Sequence, residues 1–173
     1  ELPGRGRTLI IPRLDETVER GGQTVLLSGA EYAGGRIEFD GVRYLKHIRL
    51  EWQTPVWTYD IGGSVFEKRI VAPHGQNTTY IQYRCLNGSV RLHLRPFVTY
   101  RVHDARLGEG QAEVFRLTIS SGRYEIPLPH GAPSLKLCVR PLKGVFVTDE
   151  VTNKDVSYRV DHDRGSEHIQ DLF

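Results

Sequence analysis

The sequence predicts an all-β fold, an antiparallel β-sandwich in a single domain, and three observations carry this prediction. Apolar and polar residues alternate with a period of two through most of the 173-residue chain, as in strands with one buried face. No window combines an N-cap with the i, i+3, i+4, i+7 spacing of an amphipathic helix. The 18 glycines and 9 prolines follow no period and separate short segments, which is typical of sandwiches.

The bulk composition limits the classes of function that the chain can have. Its 39% hydrophobic residues are enough for one sizeable core. The 23 Lys and Arg against 21 Asp and Glu leave a net charge of +2, which argues against a nucleic-acid binder held by phosphate neutralisation alone. No apolar run approaches the roughly 20 residues of a membrane helix. We therefore expect a cytoplasmic protein that binds neither nucleic acid nor a membrane.

Strands and turns can be predicted in order along the chain. Gly21-Gly22 and Ser121-Gly122 read as turns between them. The predicted strands outside the two hairpins below cover residues 7–14, 24–27, 44–52, 112–119, 123–127, 135–140 and 145–147. Residues 1–147 would form the sandwich domain.

A first hairpin is predicted for residues 56–71 around Gly62-Gly63. Counting outward from the turn places Tyr59 opposite Phe66 and Trp57 opposite Lys68. Trp57 and Tyr59 then share one face, where aromatic rings either pack into the core or stack on the apolar faces of sugar rings. Both interpretations stay open, and these two residues are the candidate substrate-binding residues.

A second hairpin is predicted for residues 79–96, because Asn87-Gly88 is a strong signal for a two-residue turn. This register places Arg84 opposite Arg91 on a polar face that also carries Arg95. Two facing arginines are unfavourable unless an acid lies nearby. The face is either solvated beside a carboxylate or docks onto an acidic surface of another domain.

No motif for catalysis or cofactor binding is present. A GxSxG nucleophile turn and the glycine-rich phosphate loops are missing from the sequence. Cys85 and Cys138 lie in alternating segments and are predicted to be buried, reduced thiols. His162 and His168 near Asp163 make only a weak metal pattern. We therefore predict no catalytic residue, no metal and no cofactor within this chain.

Residues 148–173 form an acidic segment with few large apolar residues, which we interpret as a connector. The chain has no Met and stops on Leu172-Phe173, so we expect it to be a piece of a longer protein. Leu172 and Phe173 are predicted to bury against a further domain. They join Arg84, Arg91 and Arg95 as the candidate domain-docking residues.

Several short motifs occur in an order that is more specific than any one of them. They are GRTLIIPRLDETV at 6–18, DGVRYL at 40–45, EKRI at 67–70, HGQNTT at 74–79, LRPFV at 94–98, and a tail with DRG at 163–165, Glu167 and DLF at 171–173. This ordered set resembles the N-terminal domain of bacterial and archaeal glycogen debranching enzymes of the amylo-α-1,6-glucosidase type.

The resemblance implies a supersandwich placed ahead of an (α/α)6 barrel that is not present in this chain. It also implies that two carboxylates, an acid and a base acting with inversion, lie in that barrel beyond Phe173. The expected function is then a non-catalytic domain, inactive alone, that supports the barrel and helps shape the α-glucan cleft. Its partners would be the barrel of the same polypeptide and the α-glucan. The alternative is an autonomous carbohydrate-binding module for glycogen or maltooligosaccharides.

Arg13, Asp15 and Glu16 form a charged cluster in the longest of these motifs. One interpretation is an internal salt bridge that shapes the chain locally. The other is a contact with the barrel.

Overall fold

The computed structural model describes residues 6–102, 115–120, 123–140, 144–149, 151–165 and 168–172. Short antiparallel strands dominate this part of the chain, which confirms the predicted all-β class. The strands are β1 (Thr8–Leu9), β2 (Arg13–Arg20), β3 (Gln23–Leu26), β4 (Ala30–Tyr32), β5 (Ile37–Glu38), β6 (Leu45–Glu51), β7 (Thr54–Ile61), β8 (Ser64–Val71), β9 (Tyr80–Cys85), β10 (Arg91–Phe97), β11 (Arg101–Val102), β12 (Thr118–Ser120), β13 (Arg123–Ile126), β14 (Leu135–Cys138), β15 (Asn153–Ser157) and β16 (Ile169–Leu172). The described residues also contain the α-helix α1 (Arg159–Asp163) and the 3₁₀ helices Asp40–Tyr44 and Pro129–Gly131.

The chain divides into two compact units, residues 14–96 and residues 1–13 with 97–173. In the first unit, a four-stranded sheet has the order β6-β7-β8-β9, and β2 lies between β10 and β3 in a three-stranded sheet. Val18 and Val25 from the three-stranded sheet share one core with Tyr59, Ile61 and Phe66 from the other. Two antiparallel sheets that bury a common core make this unit a sandwich, as predicted.

The second unit contains smaller antiparallel groups of strands. The strand β13 lies between β12 and β14, β1 pairs with β11, and β15 pairs with β16. The predicted strands at 123–127 and 135–140 are thus confirmed as β13 and β14. Residues 145–147 form no strand, so that prediction is wrong. The turn Ser121-Gly122 and residues 112–114 of a predicted strand lie outside the described residues.

The hairpin of β7 and β8 has the predicted register. Tyr59 pairs with Phe66 and Trp57 with Lys68, and the Tyr59 and Phe66 rings stack with centroids 5.3 Å apart. Gly62 and Gly63 take positive φ values of 55° and 80° in the turn, which only glycine adopts without steric cost. Local turn chemistry and alternation are sufficient to set this pairing.

The predicted hairpin around Asn87-Gly88 is wrong. The strand β9 pairs with β8, so Arg84 lies opposite Glu67 and not opposite Arg91. Asn87 does not close a two-residue turn: its Oδ1 accepts a hydrogen bond from Val65 N at 2.7 Å. Leu86 N also donates to Val65 O at 2.8 Å. These bonds hold the end of β9 against β8, and the chain then crosses to the three-stranded sheet.

Three further expectations can be compared with the structure. Cys85 and Cys138 are free thiols but exposed, so their predicted burial is wrong: alternation does not fix how completely a face is covered.

The segment interpreted as a connector contains β15, α1 and β16. No helix in the described part of the chain is long and apolar enough to span a membrane, and the cytoplasmic location stays a prediction.

Candidate functional site

A ring of ionised side chains lies on the surface of the four-stranded sheet that faces away from the core; this outward surface is closed to water in places, because Thr58 is 4% and Glu67 5% exposed. Trp57, Tyr59 and Phe66 face the core, so their neighbours in sequence face outward. The sheet register brings these outward side chains together from three strands. We call this set the charged face: Arg49, Glu51, Thr58, Glu67 and Arg69.

The two glutamates of the charged face each contact both arginines. Arg49 Nη2 lies 2.7 Å from Glu51 Oε1 and 2.5 Å from Glu67 Oε1. Arg69 Nη1 lies 2.5 Å from Glu51 Oε2, and its Nη2 lies 3.3 Å from Glu67 Oε2. Arg49 Nη1 also donates to Thr58 Oγ1 at 3.0 Å. The four charges therefore neutralise one another on the surface of the sheet.

The arginines keep both carboxylates of the charged face ionised. The hydrogen bond from Arg49 holds the pKa of Glu67 below its ordinary value, against the opposing effect of burial, with a further contribution from Arg69. Hydrogen bonds from Arg49 and then Arg69 lower the pKa of Glu51 in the same way. A carboxyl group in this setting is a poor proton donor near neutral pH.

A second ionic group lies on the inner surface of the same sheet, at the edge of the core. Glu16 on β2 is only 2% exposed, and its Oε2 lies 2.6 Å from Lys68 Nζ on β8. Tyr83 on β9 donates its hydroxyl hydrogen bond to Glu16 Oε1. Lys68 Nζ also lies 5.6 Å from the centroid of the Trp57 ring, within cation–π range. We call Glu16, Lys68 and Tyr83 the inner triad.

The inner triad places Glu16 in an internal ion pair, as one of the two interpretations from sequence expected, but the partner is Lys68, 52 positions away on β8, and not a local residue. Asp15 also has a partner within the same unit, because its Oδ1 accepts a hydrogen bond from Ser28 Oγ at 2.9 Å. The triad also affects two tyrosines. Burial, the hydrogen bond to Glu16 and its charge raise the pKa of Tyr83, and burial followed by the charge of Glu16 raises the pKa of Tyr59 to about 12.

The predicted sugar platform, Trp57 and Tyr59, is largely inside the sandwich. Tyr59 is 7% exposed and belongs to the core, while Trp57 is partly buried and packs against that core. These positions favour the packing interpretation that the sequence left open. A sugar-stacking role for the pair stays a prediction.

The predicted docking residues do not share one surface. Arg84 is exposed on the four-stranded sheet, whereas Arg91 and Arg95 are exposed on β10 of the other sheet. Arg91 Nη1 lies 3.5 Å from Glu19 Oε2, which fits the solvated-face interpretation with a nearby carboxylate. Leu172 is fully buried, and Phe173 lies outside the described residues. Their docking role stays a prediction.

The sequence pattern did not predict the contribution of β6 to the charged face. Arg49 and Glu51 alternate on a strand that it did predict, and Glu67 and Arg69 alternate likewise. The missing information was that β6 and β8 both flank β7, which places the two alternating pairs side by side.

The histidine pattern of the tail comes together only in part. The His162 and His168 rings meet edge to face with centroids 4.6 Å apart, and His162 Nδ1 lies 3.4 Å from Asp163 Oδ1. Among the described residues, no group of three or more His, Cys, Asp or Glu side chains is arranged to hold a metal ion.

Comparison with known protein families gives a match over nearly the whole chain. A family model described as "Glycogen debranching enzyme N terminal" matches residues 2–173. No curated protein and no solved structure matches the chain.

Proposed function

The chain belongs to the glycogen debranching enzyme N-terminal family, and from this we propose that it is a non-catalytic domain of an amylo-α-1,6-glucosidase. In this proposal it supports the catalytic barrel of the same polypeptide and helps to shape the α-glucan cleft. The chemistry of hydrolysis would then lie in the part of the enzyme that follows these residues.

One observation carries the non-catalytic role: the buried carboxylates of the sandwich unit are committed to ion pairs. A glycosidase needs one carboxylic acid that holds its proton near neutral pH and a second carboxylate beside it. Arg49 and Arg69 keep Glu67 ionised, and Lys68 and Tyr83 occupy the two oxygens of Glu16. These arrangements suit a rigid support better than an acid–base pair.

The same pairs suit the supporting role. The charged face ties β6, β7 and β8 together, and the inner triad ties the three-stranded sheet to the four-stranded sheet. Polar networks whose members are satisfied favour one unique packing arrangement. A sandwich held in this way can present a fixed surface to a neighbouring domain.

The test is the rate of glucose release from a limit dextrin by the full-length enzyme carrying Glu16→Gln or Glu67→Gln. Circular dichroism first establishes a temperature at which each variant is folded. We expect kcat within about twofold of the unsubstituted enzyme, because loss of a catalytic carboxylate costs on the order of a thousandfold. A loss of that size in a folded variant would contradict the proposal.

A binding measurement separates the carbohydrate-binding alternative. Maltooligosaccharides are titrated against the full-length enzyme and its Trp57→Ala variant, with the catalytic barrel inactivated by substitution. Our proposal expects the affinity to be unchanged by Trp57→Ala. A loss of affinity confined to this variant would favour the binding module.

A further inference from the structure

The inner surface of the four-stranded sheet is covered at one end and open at the other. At the covered end, Tyr59 and Phe66 lie in the core against the three-stranded sheet. At the open end, Leu50 lies opposite Pro55 and Ile70 opposite Ile81. Leu50 is 72% exposed there, although the parity of its strand places it on the same surface as the core residues.

The exposed apolar residues continue along β6, which is an edge strand of the sheet. Ile48 and Leu50 alternate on the inner surface and are 56% and 72% exposed, and Trp52, in the turn that follows β6, is 99% exposed. Ile81 at the far side of the same surface is also exposed. A long apolar edge strand left open to water promotes association with other chains. We call Ile48, Leu50, Trp52 and Ile81 the apolar strip.

Trp52 adds a second, independent feature. It follows β6 in the turn to β7 and has a φ of 59°, in the left-handed region where glycine and asparagine are favoured. A bulky aromatic residue in this conformation is strained, and strained backbone concentrates at functional sites. Its full exposure means that packing within this chain does not account for its presence.

We propose that the apolar strip is a docking surface for the remainder of the same polypeptide, the part of the enzyme that follows this N-terminal domain. This inference rests on the proposed function. The family description places the chain at the N-terminal part of a larger enzyme, so further polypeptide is tethered to it at high effective concentration. The docking surface is distinct from the arginines predicted from the sequence.

The chemistry of the strip selects a protein partner over a glucan. A sugar site combines an aromatic platform with polar groups that bind the hydroxyls, but three of the four strip residues are aliphatic. The charged face lies on the opposite surface of the sheet, and on the inner surface Lys68 and Tyr83 are engaged with Glu16 at the edge of the core. The fully buried centre of a protein interface is more apolar than its rim, and tryptophan is enriched there.

The test measures whether the strip is covered in the full-length enzyme. Cys85 and Cys138 are replaced by Ser, and a single cysteine is introduced as Leu50→Cys, or as Val42→Cys for an apolar side chain of the same unit outside the strip that is 55% exposed. Maleimide labelling of the native protein is timed by mass spectrometry, with the same variant in urea as the reference. Activity on limit dextrin checks that each variant is assembled.

We expect labelling at position 50 to be at least about tenfold slower in the native enzyme than in urea, because a packed interface must open before the reagent enters. The labelling rate at position 42 in the native enzyme is compared with the rate at position 50, because Val42 is an exposed apolar side chain outside the strip. Native labelling of Leu50→Cys within about twofold of the unfolded rate would overturn the proposal.

The conditions of the same experiment identify the occupant. Protection by the tethered polypeptide is independent of enzyme concentration and of added glucan. Protection that disappears on dilution would assign the strip to a second copy, and protection that requires maltooligosaccharide would assign it to the substrate; either result overturns the proposal. If position 50 is protected but Glu16→Gln or Glu67→Gln abolishes catalysis in a folded enzyme, the docking stands and the proposed function fails.

Discussion

Glu16 and Lys68 are 52 positions apart in the chain, yet Lys68 Nζ lies 2.6 Å from Glu16 Oε2 at the edge of the core. This contact joins the two sheets of the sandwich unit through a single ion pair. Tyr83, from a third strand, donates a hydrogen bond to the other oxygen of the carboxylate. A buried charge is tolerated only when such partners replace its hydration.

Removing the charge of Glu16 should therefore destabilise the chain. Glu16→Gln leaves the ammonium group of Lys68 without its counter-ion, at an expected cost of about 2–4 kcal/mol, since Lys68 retains some solvent contact. Urea denaturation followed by tryptophan fluorescence measures the loss in free energy of unfolding, because Trp57 lies beside Lys68 and reports on this region. Glu19→Gln is the matched control: its pairs with Arg91 and His93 are exposed, and it should cost less than about 1 kcal/mol. Equal costs for the two variants would contradict the prediction.

The charged face should make stability depend on acid pH. The pKa of Glu67 is lowered in the folded chain by Arg49 above all, so its contribution is present above the ordinary pKa of 4.5 and is lost as the pH falls through the folded value. Glu67→Gln should lower stability at neutral pH but flatten the decline between about pH 4.5 and the acid limit. Urea midpoints at a series of pH values measure both effects.

The second carboxylate of the charged face provides the internal comparison. The pKa of Glu51 is also lowered by Arg49 and Arg69, so adding Glu51→Gln to Glu67→Gln should flatten the acid decline further. An unchanged acid slope in both variants would show that the ion pairs do not form in solution.

Tyr59, which lies near Glu16, should make the stability of the chain fall as the pH rises in the alkaline range. Burial, assisted by the charge of Glu16, raises the pKa of Tyr59 from 10.0 to about 12. The stability from this group is then complete below pH 10 and is lost as the pH rises toward 12, because the unfolded chain releases the proton first. Tyr59→Phe keeps the ring and should flatten this decline. Tyrosinate absorbance is the second measurement, and a Tyr59 signal that develops before unfolding would contradict the prediction.

Gly41 is predicted to be intolerant of any side chain. A Cβ at this position would lie 2.3 Å from the carbonyl oxygen and 2.6 Å from the Cα of Leu27, and backbone cannot move aside as a flexible side chain can. Gly41→Ala should cost about 1–3 kcal/mol through overpacking. Gly144→Ala is the control, because its Cβ would meet no atom within 4 Å, and it should change stability by less than about 0.5 kcal/mol. Thermal unfolding of both variants measures the difference.

The exposed cysteines and the charged face show how far sequence reasoning reached into the candidate site. Alternation assigned Cys85 to the inward surface, but whether that surface is covered depends on how far the second sheet extends. The alternation along β8 puts Glu67 and Arg69 on the outward surface, yet their partners Arg49 and Glu51 come from a strand on the far side of β7. Side-chain direction is local information, whereas coverage and partners are not.

The sequence by itself determined the all-β class, the parity of the strands and the hairpin of β7 with β8, because alternation and a glycine turn act over a few residues. Its ordered motifs also determined the resemblance to a family, which the match over residues 2–173 confirms. Only the tertiary structure decided that β9 pairs with β8 while β10 lies beside β2, and that Lys68 meets Glu16. Those pairings depend on the burial of surfaces from distant parts of the chain, a contribution to the folding free energy that no local pattern records.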